Sequence, residues 1–205
     1  MEASEMNHVT TIAGAPSFTA SSYGVLQWTH SQIRRQEIRT STVVVRNLPA
    51  LDLVQGRSDS PALQSARINV DQADAVVVVT PLMRCAYPGI LKAFLDLLPP
   101  DALSGKVVLP IATGGRLRQP SALDQSIGPV LRSLGASRVL EGVHITDRQV
   151  HYAHGGALEL DEDAEEALQE ALHTLIGSIN SPEAERTGTA TVTTGEYELL
   201  EAFER

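Results

Sequence analysis

Apolar positions along the chain alternate between two periodicities. Runs enriched in β-branched residues, His8 to Ala13, Glu37 to Arg46, Ala75 to Thr80, Lys106 to Ala112 and Arg138 to Ile145, read as strands. The third of these has no polar alternation, so both of its faces are expected to be buried, as in a central parallel strand. Between the runs, Ser21 to Arg34, Ala62 to Gln72, Pro88 to Leu98 and Ala122 to Leu134 carry helical spacing. A last helix is expected over Asp161 to Ile179, where Ala164, Leu168, Ala171, Leu172, Leu175 and Ile179 share one face. Asp161, Glu162 and Asp163 fall at its start, where the helix dipole favours anions.

Strands alternating with helices predict an α/β domain with a parallel sheet covered on both faces. Right-handed crossovers give a doubly wound five-stranded sheet, most simply in the flavodoxin-like order 2-1-3-4-5. The expected division is one domain over residues 1–180 and a flexible tail over 181–205, because Pro182 to Gly195 is rich in Thr, Gly and Glu. In such sheets ligands collect outside the carboxyl ends of the strands where the order reverses. The turns after strands one, three and four are therefore the candidates.

After strand one, Gly14 to Tyr23 presents hydroxyls and backbone N–H groups at a helix start, which suits a phosphate. A polar turn with Ser21 or Ser22 as an ordinary N-cap fits the same residues. After strand three, Thr80 to Gly89 is stiffened by Pro81 and Pro88 and leads into the apolar stretch Ile90 to Leu98. That turn could offer backbone groups to a planar heterocycle, while the apolar helix equally suits burial between subunits. After strand four comes Thr113-Gly114-Gly115-Arg116, where paired glycines permit close approach of a ligand or simply form a turn. There is no GxGxxG and no Walker lysine.

Composition narrows the picture. A net charge of −9 argues against nucleic acid as a partner, although seven of the acids lie between Glu159 and Glu170 and leave the remaining surface nearly balanced. Cys85 is the only cysteine, which excludes an internal disulfide, and it reads as a packing residue. No apolar run approaches the about 20 residues that cross a bilayer, and Met1 to Asn7 has no export pattern, so a cytoplasmic protein without membrane contact is expected. His151 and His154 have a spacing compatible with a metal, but without a partner motif a loop or interface role is expected instead.

The runs Asp59-Ser60-Pro61-Ala62-Leu63, Ala86 to Lys92, Leu95 to Pro99 and Leu103 to Gly115 resemble the NAD(P)H-dependent FMN reductases, in particular those of alkanesulfonate and methanesulfonate two-component monooxygenase systems. The resemblance spans about His8 to Tyr152. It implies that FMN phosphate is held by Ser17, Thr19, Ser21 and Ser22, and that the flavin is embraced by Pro81, Leu82, Met83 and Arg84. It places Thr113, Gly114 and Gly115 beside the isoalloxazine, with Arg116 adjoining. It further implies NADPH or NADH as hydride donor, a flavin-dependent monooxygenase as recipient of reduced flavin, and a homodimer or homotetramer. Because the cofactors perform the chemistry, no catalytic acid or base is expected.

Three positions depart from the pattern of that family. Ser17 replaces an arginine near the phosphate, Met83 replaces an aromatic residue, and Gln125 stands where the alkanesulfonate enzyme inserts a tyrosine in a widened helical turn. Pro129 cannot donate to the carbonyl of Gln125, so the helix is expected to open or bend there, either as an irregular turn that bears on flavin exchange or as a simple kink. Arg84, Arg116 and Arg118 are candidates for the 2′-phosphate of NADPH, or simply surface arginines. Two rivals share the fold: a reductase of quinones, azo dyes or metal ions that retains FMN, and a binding or assembly subunit without turnover.

Overall fold

The computed structural model describes residues 7–17, 21–115, 120–153 and 158–180. The expected tail, 181–205, lies outside them. β1 (His8–Ala13), β2 (Arg39–Val44), β3 (Ala75–Pro81), β4 (Val107–Thr113), β5 (Arg138–Val139) and β6 (Val143–Ile145) form one parallel sheet in the order β2-β1-β3-β4, with β5 and β6 both pairing β4. This is the expected flavodoxin-like order 2-1-3-4-5.

All of Ala75 to Thr80 is buried, as the unbroken apolar run predicts. Its side chains divide by the strand period of two. Val76 and Val78 enter one core with Leu63, Leu91, Phe94, Leu95 and Leu131, while Ala75, Val77 and Val79 enter the other with Val25, Ile33, Leu168 and Leu175. The first core is covered by α2 (Ala50–Gln55), α3 (Pro61–Asp71), α4 (Gly89–Leu95), α5 (Pro120–Ser126) and α6 (Gly128–Ser133). The second is covered by α1 (Ser21–Arg34) and α7 (Glu162–Asn180). Asp161 caps α7 by accepting the Ala164 N–H at 3.1 Å, so it stands before the helix rather than in its first turn.

Several elements differ from expectation. The second strand stops at Val44 because Val45–Asn47 tightens into a 3₁₀ turn, and it starts after Glu37, whose φ of 57° belongs to a turn. The fifth strand is split around Gly142, where a Cβ would lie 2.5 Å from Leu123 Cδ2, so the backbone passes against α5 instead of continuing the ladder. The expected helix over Ala122 to Leu134 is two helices that meet at Ile127. Pro129 removes the donor for the Gln125 carbonyl, and the helix is interrupted between Ser126 and Gly128, as an opened or bent ladder requires. A hairpin of β7 (Val150–Tyr152) and β8 (Leu158–Leu160) packs Leu158 against Gly24 of α1, an element the sequence reading does not contain.

Candidate functional site

The first candidate turn leaves β1 at Gly14, whose N–H donates to the Val79 carbonyl at 2.8 Å. A Cβ here would stand 2.7 Å from Leu91 Cδ2 and 2.9 Å from Thr80 Oγ1, so only glycine lets this turn lie flat against β3 and α4. Ser17 is half-buried, while Thr19 lies outside the described residues. Ser21 and Ser22 open α1, whose first turn holds no acid. Ser22 is 1% exposed, and its Oγ is buried without a hydrogen-bond partner. A buried, unmatched hydroxyl costs about 1–3 kcal/mol. At a helix N-terminus, where the backbone dipole favours negative charge, it is a feature that an anionic oxygen would satisfy.

The second turn is tied to the third. Leu82 N–H donates to the Thr113 carbonyl at 2.9 Å, continuing the β3–β4 register that pairs Pro81 with Thr113. Met83 and Ala86 then exchange N–H···O bonds of 2.7 and 3.2 Å around Arg84 and Cys85, whose φ angles are 55° and 63°. That is a type I′ turn, normally built from Asn-Gly. Two Cβ-bearing residues in the left-handed region cost about 1–2 kcal/mol each, and such strain concentrates at binding sites. Met83, Arg84 and Cys85 are exposed at its tip, which corrects the reading of Cys85 as packing. Tyr87 packs back on the core beneath, and burial holds its hydroxyl pKa above 10.0, with Lys92 opposing the shift and Asp96 adding to it.

The third turn extends β4 through buried Thr113 into Gly114 and Gly115, with φ of 104° and 78°. Both angles favour glycine. Gly114 N–H donates to the Ile145 carbonyl at 2.9 Å, and its own carbonyl lies 2.8 Å from His144 Nε2. Gly115 N–H donates to Asp147 Oδ2 at 3.0 Å, while Asp147 N–H donates to the Gly115 carbonyl at 3.1 Å. His144 and Asp147 are contacts the sequence reading missed. Arg116 and Arg118 lie outside the described residues.

Gly14, Pro81 and Thr113 thus stand on three adjacent strands whose exits are bonded to one another. Ser17, Ser21, Ser22, Leu82, Met83, Arg84, Gly114 and Gly115 all follow from those exits. Three surface cavities lie elsewhere, one of them, about 280 Å³, between Gln32 and Gln36 and the α7 residues Gln169 and His173. One of about 450 Å³ runs between β5–β6 and α7, and one of about 370 Å³ lies between α3 and residues 98–102. None of the three takes lining from the turns after β1, β3 and β4. Among the described residues no cluster of His, Cys, Asp or Glu could hold a metal ion, and no helix is long and apolar enough to cross a membrane. His151 is exposed on β7, and His154 lies outside the described residues.

Residues 7–150 match the family model described as NADPH-dependent FMN reductase. An "FMN reductase (NADPH)" of Pseudomonas putida KT2440 is 40% identical over 167 residues, covering 81% of this chain and 85% of that protein. One of the same name from Escherichia coli K12 is 41% identical over 142 residues, covering 69% and 74%. Among solved structures, an apo NADH:FMN oxidoreductase (EMOB) superposes with a TM-score of 0.76 at 28% identity, covering 84% of this chain and 90% of that one.

Proposed function

The chain belongs to the NADPH-dependent FMN reductase family, and from that premise we propose that its three bonded turns hold FMN as an exchangeable substrate and release FMNH₂ to a separate monooxygenase. It is an NAD(P)H-dependent FMN reductase, with FMN and a reduced nicotinamide as its cofactors. When bound, FMN supplies the chemistry by accepting a hydride from the nicotinamide.

The protein's own part is to bind and orient. Ser17, Thr19, Ser21 and Ser22 would take the phosphate at the N-terminal end of α1, where a helix presents backbone N–H groups. Pro81, Leu82, Met83 and Arg84 would flank the flavin from one side. Thr113, Gly114, Gly115 and Arg116 would flank it from the other. The observation that carries this reading is the buried, unpartnered Ser22 Oγ at the start of a helix without first-turn acids. Ser17 supplies no positive charge where the family pattern has an arginine, which weakens phosphate retention and favours exchange over permanent binding.

Exposed Leu51 and Val54 on α2 and Ile68 on α3 support the expected assembly of copies of this chain, and light scattering would give its size. We propose a cytoplasmic location, which the single cysteine, Cys85, suits. Steady-state oxidation of NADPH and of NADH with FMN in excess tests the function. Saturable FMN-dependent turnover is expected, with flavin lost on dialysis. Flavin retained through dialysis would refute the exchange, and no turnover with either nucleotide would refute the whole reading.

A further inference from the structure

The Gly114–Gly115 turn has four backbone polar groups, and every one is engaged by the segment that follows β6 or by β6 itself. The Ile145 carbonyl takes the Gly114 N–H at 2.9 Å, and His144 Nε2 reaches the Gly114 carbonyl at 2.8 Å. The Asp147 carboxylate takes the Gly115 N–H at 3.0 Å, and the Asp147 N–H reaches the Gly115 carbonyl at 3.1 Å. Two of these four bonds belong to the ladder and its extension. The other two come from side chains, and they hold the C=O and the N–H of the one peptide group that joins the two glycines.

Two consecutive glycines form the least constrained stretch a backbone can have, so a turn built from them stays in one shape only if something outside it imposes that shape. A carbonyl oxygen can only accept, so His144 Nε2 carries the proton in this contact and the tautomer is fixed by its partner. His144 is 3% exposed, which shields its bond from competition with water. Asp147 is exposed, but its bond to the Gly115 N–H is charge-assisted and closes a ring with the return bond from its own N–H. The 3₁₀ turn Asp147–Gln149 is anchored in turn by a capping box, in which Thr146 N–H donates to Gln149 Oε1 at 3.0 Å. Side chains some thirty residues away thus do what the glycines cannot do for themselves.

We propose that His144 and Asp147 are the positioning residues of the flavin-facing turn. The inference rests on the reading that FMN lies against Gly114 and Gly115. They act through the backbone: by fixing the turn before flavin arrives, they remove an ordering cost that would otherwise be subtracted from FMN affinity. Because both N–H groups of the pair are engaged, the turn meets its ligand as a ledge without side chains rather than as a donor fork.

The test compares Asp147→Ala with Asp147→Asn, and His144→Phe with His144→Gln, in the full chain. Asn keeps an oxygen that can accept from Gly115, and Gln keeps an N–H that can donate to Gly114. Readouts are FMN Kd by quenching of flavin fluorescence, KM for FMN and for the nicotinamide separately, and the visible circular dichroism of bound flavin. Asp147→Ala and His144→Phe should raise Kd and KM for FMN about tenfold and change the flavin dichroism, leaving the nicotinamide KM unchanged. The Asn and Gln variants should recover most of the loss. Folded Ala and Phe variants with unaltered FMN affinity and dichroism would overturn the proposal, as would Asn and Gln variants no better than Ala and Phe. The exposed Asp147 pair carries the test if the buried His144 variants fail to fold. If the unaltered protein itself bound no FMN, the flavin reading would fall, and this inference with it.

Discussion

Replacing Ser22 by alanine separates a ligand role from a structural one by the sign of two effects. Its Oγ is buried and makes no hydrogen bond within the protein, so removing it deletes no stabilising contact and relieves a desolvation cost of about 1–3 kcal/mol. The free protein should therefore hold its melting temperature or gain, by about 2–4 °C for each kcal/mol recovered in a chain of this length. If the hydroxyl donates to the FMN phosphate, the same change removes a charge-assisted bond worth about 1.5–3 kcal/mol and raises the FMN Kd about tenfold or more. Riboflavin, which has no phosphate, should bind both proteins equally. Thermal unfolding with and without flavin, paired with fluorescence titrations of FMN and riboflavin, measures all of this. Ser31→Ala serves as the control, since Ser31 Oγ donates to the Trp28 carbonyl at 2.7 Å on the far part of the same helix. A free protein that melts several degrees lower, or an unchanged FMN Kd, would refute the reasoning.

Other expectations follow from the same geometry. Gly14→Ala places a methyl 2.7 Å from Leu91 Cδ2 and should cost about 1–3 kcal/mol in urea unfolding while displacing the turn after β1. Gly114→Ala meets no atom closer than 3.8 Å, yet φ of 104° is strained for any Cβ-bearing residue. Its stability loss, about 1–2 kcal/mol, should therefore come with weaker FMN binding in the same titration. His30 sits between the hydroxyls of Thr40 and Thr42, and burial, followed by the charge of Arg34, lowers its pKa below 6.5. The unfolded chain then binds the proton more readily than the folded one. Stability should fall as pH drops from about 6.5 toward the lower folded value and level off below it, and His30→Gln should flatten that segment of a urea-midpoint profile.

The sheet was legible because its signals are local. Ala75 to Thr80 announces a strand buried on both faces, and the spacing of Ala164, Leu168, Leu172 and Leu175 announces the helix that covers one of them. With the handedness of parallel crossovers, such signals make 2-1-3-4-5 the simplest order, and it is the order observed. What escaped depends on contacts distant in sequence. The split of the last strand follows from how closely Gly142 passes Leu123, which no period in Arg138 to Ile145 encodes. The β7–β8 hairpin alternates over only three residues on each side. Its one local clue is the Gly155-Gly156 pair between the two runs. α2 exposes Leu51 and Val54, so its apolar residues do not trace a buried stripe.

The site shows the same division. Its three turns are marked out by the strand ends, which the fold does place side by side, and Ser22 is proposed from the hydroxyl-rich helix start. The strain at Arg84 and Cys85 could not be found, because that pair has none of the residue types that usually mark a type I′ turn. His144 and Asp147 escaped for a further reason. A histidine in a short strand and an aspartate after it look like surface polarity until the fold brings them to Gly114 and Gly115.

Reduction under anaerobic conditions reaches the central claim most directly. Protein mixed with equimolar FMN and titrated with NADPH or NADH should lose the flavin absorbance band in proportion to the nucleotide added, far faster than free FMN does. A mixture whose band survives excess of both nucleotides would contradict the account.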